Sequence, residues 1–361
     1  CVLTPEIGVL SETFVAWDVN ELSPGGTVVV ADPPPRGASV VSRPAWSTDA
    51  PALSFEPAPG DPPPSEQRRR DVAEFLHAHG VETVLIEFAD FAERWFDMLA
   101  ALGLSVWIRA HGADVSARLR ESYRRFNSAY GVTVPSRALA TKLRGVGIDD
   151  DKIHVVPNHV AVPTQKPARR ADHRHVRCIS IGRMVPKKGH LHLLAAFEQA
   201  VSADPRLRLD IIGDGPLRPE IEREIQRADL AHRVQLCGAL TPEATRRTLA
   251  AADVFVHHAV TGADGDAEGQ PLTILEAMAA GLPLVLTRHS GIPEIAQDGE
   301  HAIFTDERDT EATAHALVTL AADSDMRHTM GVATWEHART KHDHDVVRPH
   351  LLRLLEIGEH R

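Results

Sequence analysis

Two doubly wound α/β domains, each a parallel sheet with helices on both faces, are the fold class this sequence predicts, and three observations predict it. After Val176, short β-branched runs alternate with helix-length amphipathic stretches, the pattern of a parallel sheet. The half before it shows the same alternation more loosely. The 361 residues, 43% of them hydrophobic, are enough for two cored domains of ordinary size.

From the N-terminus, Cys1-Val2-Leu3-Thr4 reads as the middle of a strand, which points to a trimmed start. Strands are expected at Thr27 to Val30, Thr83 to Ile86, Ser105 to Ile108 and Val132 to Val134. The tract from Asp32-Pro33-Pro34-Pro35 through Asp61-Pro62-Pro63-Pro64 is expected to be irregular surface chain, because proline removes backbone donors. A partner-binding polyproline segment is the other reading of it.

The polar, basic stretch from Pro157 to Arg174 reads as a domain linker, dividing an N-terminal domain of residues 1–160 from a C-terminal one of residues 161–344. In the latter, strands are expected at Val176 to Ile181, Leu207 to Ile212, Val234 to Cys237, Val254 to Val256 and Leu284 to Leu286, with helices such as Leu191 to Ala203 and Pro219 to Arg227 between them. The segment Asp345 to Ile357 carries Leu351, Leu352, Leu354 and Leu355 at helical spacing. It reads as a closing helix packed on the N-terminal domain.

A formal charge of −11 argues against a general nucleic-acid binder, since affinity for a polyanion comes mainly from Lys and Arg. Any phosphate site is therefore local. No run approaches the roughly 18 to 20 apolar residues that span a bilayer, and no signal segment opens the chain. The expectation is a cytoplasmic protein whose membrane contact is at most peripheral. Three cysteines, Cys1, Cys178 and Cys237, are too few and too scattered for a disulfide framework or a zinc site.

The most informative window is Glu268-Gly269-Gln270-Pro271-Leu272-Thr273-Ile274-Leu275-Glu276. A Gly-containing loop meets Pro271, which suits a first helical turn, and an apolar helical run follows. Free amides at such a start, here those of Gly269, Gln270, Leu272 and Thr273, together with the helix dipole hold a diphosphate without a basic cluster. Carboxylates near it must face away and accept hydrogen bonds from hydroxyls, which sugars supply. At about 1.5 Å per residue the step from Glu268 to Glu276 spans roughly 12 Å if wholly helical. That suits one nucleotide sugar, with Glu268 on the transferred sugar and Glu276 on the ribose diol. The plain alternative makes Glu268 a loop charge and Glu276 a solvated helix charge.

Upstream, Ser180-Ile181-Gly182-Arg183-Met184-Val185-Pro186-Lys187-Lys188-Gly189 sets cations at a strand's C-terminal end, where ligands of open α/β sheets bind. Arg183 and Lys188 are placed to neutralise a leaving diphosphate. Gly213-Asp214-Gly215 also follows a strand but lacks a third glycine for a dinucleotide fingerprint; it reads as a tight turn by the ligand. In the N-terminal half, Arg109-Ala110-His111-Gly112-Ala113-Asp114 follows a strand, and a His there can reach a reacting hydroxyl. Asp264-Gly265-Asp266 mimics the Asp-x-Asp of metal-dependent transferases, but cations can take the metal's role. No Gly-x-Ser-x-Gly, His-Glu-x-x-His or Walker loop occurs.

Together these windows resemble glycosyltransferase family 4, over most of Val176 to Glu294. The resemblance rests on Gly182 to Gly189, Ile212-Gly213-Asp214-Gly215, the Glu-x7-Glu of Glu268 and Glu276, and Ser290-Gly291-Ile292-Pro293-Glu294. Leu10-Ser11-Glu12-Thr13-Phe14, His111 to Ser116 and Asp264 to Gly269 look like a branch that builds exopolysaccharides such as colanic acid. The resemblance implies a GT-B architecture, two facing Rossmann-like domains with an inter-domain cleft. It also implies sugar transfer with retained anomeric configuration and no metal or other cofactor. Arg183 and Lys188 would sit on the donor diphosphate, Glu268 on the donor sugar, Glu276 on the ribose and His111 near the reacting centre. Gly182 and Gly213 would line the donor, and Ser11, Glu12, Thr13 and Asp114 would lie on the acceptor side.

Two departures stand out. Glu6-Ile7-Gly8-Val9-Leu10-Ser11 replaces the Gly-rich loop of many relatives, and His257-His258-Ala259 stands where they show an apolar residue followed by Pro-Ser. The expected activity is hexosyl transfer from a nucleotide-diphosphate sugar to a saccharide, lipid-linked or natural-product hydroxyl. The rivals are an epimerase of the same architecture and a non-catalytic nucleotide-sugar-binding subunit.

Overall fold

A computed structural model describes residues 1–5, 13–32, 48–56, 63–167 and 174–356. The chain divides into unit 1, residues 1–157 with 347–361, and unit 2, residues 158–346.

Unit 1 is built on a seven-stranded, all-parallel sheet. Its strands are β1 (Val2–Thr4), β2 (Val29–Ala31), β3 (Ala52–Ser54), β4 (Thr83–Glu87), β5 (Ser105–Arg109), β6 (Gly131–Val134) and β7 (Ile153–Val155), in the order β3-β2-β1-β4-β5-β6-β7. Around it lie α1 (Thr13–Trp17), a π-turn at Asp18–Leu22, α2 (Glu66–Ala78), α3 (Ala89–Ala101) and α4 (Arg137–Gly145). The central strands are buried on both faces, as a sheet covered twice requires. Leu3, Val84, Ile86, Val106 and Ile108 pack against Trp95, Phe96 and Phe126. Leu85 and Trp107 pack on the other face against Leu351, Leu352 and Leu355.

Unit 2 repeats the plan with β8 (Val176–Ile181), β9 (Leu207–Ile212), β10 (Val234–Gly238), β11 (Val254–His257), β12 (Leu284–Thr287) and β13 (Ala302–Thr305), all parallel, in the order β10-β9-β8-β11-β12-β13. The helices are α5 (His190–Ala203), α6 (Arg218–Arg227), α7 (Pro242–Ala250), α8 (Leu272–Ala279), α9 (Thr310–Ala322) and α10 (Ser324–Lys341). A last helix, α11 (His344–Leu354), carries the chain back into unit 1. Strand alternation separates two cores. Cys178, Leu209, Val254 and Val285 share one face; Ile179, Ile181, Phe255 and Leu284 share the other.

In each unit the strand order reverses once, between β1 and β4 and between β8 and β11. The crevice outside the C-terminal strand ends at such a reversal is where open α/β sheets bind ligands. Those ends are Thr4 and Glu87 in unit 1 and Ile181 and His257 in unit 2, with Arg109 and Ile212 closing the next strands, β5 and β9.

The structure corrects one expectation and refines another. The Pro-rich tract is not irregular throughout: Ala52–Ser54 forms β3 at the sheet edge, where flanking prolines are tolerated. Residues 33–47 and 57–62 of that tract lie outside the described residues. The stretch read as a linker starts at the boundary between the units, and residues 161 and 163–165 in it are exposed, but its first residues are not. Asn158, His159 and Val160 are buried, and Val160 pairs with Asp343, its amide donating to His342 O at 2.9 Å.

Close packing at the top of unit 2 depends on glycine. Gly189 has φ +62°, and a Cβ there would overlap the carbonyl oxygen of His258. Gly189→Ala is therefore expected to cost about 3 kcal/mol, from left-handed backbone and overlap combined, read as a lower urea midpoint; an unshifted midpoint contradicts this packing. Gly213, at φ +137°, sits equally close to the Gly182 carbonyl, so the turns after β8 and β9 touch.

Candidate active site

Unit 2 brings the donor-side residues together at its strand reversal. After β8 the chain passes Gly182, whose amide donates to Ile212 O at 2.9 Å, and turns through Pro186–Lys188 into α5. Lys188 runs its aliphatic stem over Gly182, where a Cβ would stand 3.0 Å from Lys188 Cδ. Its Nζ lies 3.0 Å from Glu268 Oε1. Arg183 is exposed and forms no ion pair with the described residues.

Lys187, which the sequence reading passed over, is buried: its Nζ is 2.9 Å from Asp266 Oδ1 and 4.0 Å from Glu268 Oε1. Asp266 is thus paired with an ammonium. Among the described residues no group of three His, Cys, Asp or Glu is arranged to hold a metal.

Glu268 is only 6% exposed. Burial pushes its carboxyl up, but Lys188 and then Lys187 outweigh that and bring it down to about 2. It is ionised at every working pH. Its own amide donates to His289 Nε2 at 3.0 Å. The other ring nitrogen of His289 meets Glu307, which also accepts from the Thr261 amide at 2.8 Å. This relay fixes the His289 tautomer and the loop that carries Glu268.

The helix after that loop is unlike its neighbours. Thr241 caps α7, Asp309 caps α9 and Asp323 caps α10, each accepting a first-turn amide. Pro271 precedes α8 and offers no such cap. The amides of Gly269, Gln270, Leu272 and Thr273 donate to no described residue, and Thr273 Oγ1 is buried without a partner. These are the groups that collect an anion at a helix start. The Gln270 side chain faces elsewhere: its Oε1 accepts the Asn158 amide at 2.6 Å, and its carbonyl accepts Asn158 Nδ2 at 2.8 Å. That anchors the loop to the buried stretch once read as linker.

Glu276 lies on α8, but α8 begins at Leu272. The eight-residue step from Glu268 is therefore half loop, and the wholly helical spacing is corrected. Glu276 is partly exposed, and burial pushes its carboxyl up to about 7, Arg246 offsetting only part of this.

His257 and His258 are both buried. His258 is fully used, Nδ1 with Thr313 Oγ1 at 3.0 Å and Nε2 with the Arg308 amide at 3.1 Å. Burial, then Lys188, keep His257 neutral.

In unit 1, His111 follows β5 with Nε2 2.9 Å from Glu87 Oε2. Burial brings its imidazole down to about 4. Asp114, expected on the acceptor side, is 2% exposed, and its carboxylate accepts the amides of His111 at 3.0 Å and Ala89 at 2.9 Å, so it shapes the His111 turn. Ser11 and Glu12 lie outside the described residues; Thr13 begins α1.

Comparison with known proteins follows the same division. A family model described as Glycosyltransferase Family 4 matches residues 25–164, and one described as Glycosyl transferases group 1 matches residues 175–323. The chain is 33% identical over 220 residues to an amylovoran biosynthesis glycosyltransferase of Erwinia amylovora, covering 58% of this chain and 54% of the relative. It is 31% identical over 242 residues to a putative colanic acid biosynthesis glycosyltransferase of Escherichia coli, covering 65% of this chain and 59% of that one. The chain thus spans little more than half the length of these curated relatives. Among solved structures, Anabaena HepE in complex with UDP and glucose superposes with a TM-score of 0.81 at 16% identity, covering 98% of both chains. Sucrose-phosphate synthase from Thermosynechococcus elongatus superposes at 0.77 with 18% identity, also over 98% of both. At such identities these two speak to the fold, the paired Rossmann-like units named GT-B. With one family model matched in each unit, the chain carries a glycosyltransferase family 4 domain followed by a glycosyl transferases group 1 domain.

Proposed function

We propose that this chain transfers a hexosyl group from a nucleotide-diphosphate sugar, held by unit 2, to a hydroxyl of a saccharide, lipid-linked or natural-product acceptor received by unit 1. The observation that carries the reading is the uncapped start of α8, with four unengaged amides and Thr273 Oγ1, following directly on the Lys188–Glu268 pair. The relatives' printed roles in amylovoran and colanic acid biosynthesis support placing the activity in polysaccharide assembly.

The diphosphate sits on the α8 amides, and Lys188 and Arg183 meet the charge that develops on it as the sugar leaves, the interaction that counts most in such chemistry. When Lys188 turns to phosphate, Glu268 is left to accept sugar hydroxyls and Glu276 the ribose diol. With cations on the leaving group no metal is required, and a leaving phosphate oxygen takes the acceptor proton, giving retention. We place the reaction in the cytoplasm. Among the described residues no helix is long and apolar enough to cross a membrane.

Glu276 makes donor binding pH-dependent. Hydroxyls that donate to a carboxylate favour its ionised form, so a carboxyl poised at about 7 releases its proton when the diol arrives. Below pH 7 binding is expected to release up to one proton and to strengthen as pH rises; above about pH 8 the release vanishes. Calorimetry at pH 6 in two buffers of different ionisation enthalpy measures this, and Glu276→Gln should abolish it. Equal proton release by that variant rules out the ribose assignment.

The reading as a whole is tested by thermal shift against a panel of nucleotide sugars. A donor at about 100 times its Kd adds about 2.7 kcal/mol of stability. A panel that shifts nothing overturns it.

A further inference from the structure

Among the described residues of unit 1, one cluster buries more carboxylate than it neutralises. Glu87 and Arg109 are register partners at the ends of β4 and β5, and Asp18 joins them from the π-turn. Asp18 and Glu87 are wholly buried and Arg109 is 3% exposed. Arg109 Nη1 donates to Asp18 Oδ2.

Of the charges around them, Asp114 is met by backbone amides, and Asp90 on α3 pairs with Arg118 at 2.6 Å near the surface. The two carboxyls therefore face one guanidinium and the His111 imidazole. Two carboxylates against one cation leave a buried charge unmatched, which is strongly unfavourable. One proton removes it.

Two atoms mark where that proton sits. Asp18 Oδ1 and Glu87 Oε1 are both buried without a hydrogen-bond donor. Each carboxyl's other oxygen is engaged, Asp18 Oδ2 by Arg109 and Glu87 Oε2 by His111 Nε2 at 2.9 Å. A proton between the two orphaned oxygens satisfies both.

We propose that Asp18 and Glu87 share one proton and together hold His111 as the tautomer with hydrogen on Nε2, which makes Nδ1 the accepting nitrogen of the ring. Glu87 is thus a positioning residue that acts through His111. This rests on unit 1 being the acceptor side of the proposed transferase. Burial pushes both carboxyls up, Asp18 to about 7, while it holds the imidazole neutral. The backbone supports the same reading. Phe88, directly after Glu87, has φ +71° and its ring lies 4.7 Å from that of His111. Such strain in a non-glycine residue gathers at functional sites.

Nitrogen-15 NMR of the wild-type chain tests the tautomer directly. Hydrogen on His111 Nε2 is expected; hydrogen on Nδ1 overturns the proposal, whatever any variant does. In a Glu276→Gln background, which removes the other carboxyl poised near 7, Asp18→Asn should remove the infrared band of a protonated carboxyl, and a band that persists contradicts proton sharing. In kinetics, Glu87→Leu should lower kcat at least tenfold with donor Kd unchanged, and Glu87→Gln, which keeps an acceptor oxygen, should recover most of that loss. In a His111→Ala background, Glu87→Leu should add nothing. Equal kcat for wild type and Glu87→Leu, or additive losses, overturns the positioning role. If the wild-type chain transfers no sugar, the transferase reading fails while the tautomer measurement still decides this proposal.

Discussion

Lys188→Ala is expected to lower sugar transfer by about 10³-fold, the scale seen when one group that stabilises developing charge is removed. The ammonium is unusually well placed for that task. Its stem is confined over Gly182, and its head is held 3.0 Å from Glu268. The same substitution strips a buried carboxylate of its nearer cation, so a stability loss of about 3 kcal/mol accompanies it, moderated by Lys187 at 4.0 Å. Urea denaturation separates the two effects. A folded Lys188→Ala chain that transfers sugar at the wild-type rate removes Lys188 from the reaction. Lys188→Arg is not expected to restore activity, because a planar guanidinium does not fit the path fitted to a narrow stem.

Glu268→Gln gives the second large effect, and its two readouts move in opposite directions. Transfer should fall by about 10²-fold, since an ionised acceptor of sugar hydroxyls becomes a neutral one. Binding of a plain nucleoside diphosphate, which carries no sugar, should become tighter, because a phosphate no longer competes with Glu268 for Lys188. Calorimetry with the diphosphate alone checks the second half. Weaker diphosphate binding would show that Glu268 supports the phosphate rather than the sugar.

The parallel alternation of both units was legible because buried strands are apolar runs and helices show their period. The donor side was legible for a similar reason: Gly182, Lys188, Glu268 and the α8 start each lie beside a strand end or helix start, which local sequence marks. What sequence could not show were the long-range partners. Lys187 meets Asp266 across 79 residues and Asn158 meets Gln270 across 112, and no periodicity reports such pairings. Lys187 looked like a second surface cation, and Asn158 like linker. Asp114 accepts the amide of Ala89 across 25 residues as well as that of His111, and no local pattern marks that role. Glu87 closes an apolar strand and Asp18 begins a π-turn, so each seemed an ordinary element end. β3 was hidden because its three residues lie within a proline-rich tract.

The central claim is that unit 2 holds a nucleotide sugar for transfer. The most direct measurement incubates the chain with isotopically labelled nucleotide sugars and a saccharide acceptor in the presence of EDTA, following nucleoside diphosphate and labelled acceptor together. The account predicts their appearance one for one. Donor converted to its epimer without diphosphate release, or donor left intact throughout the panel, would contradict it.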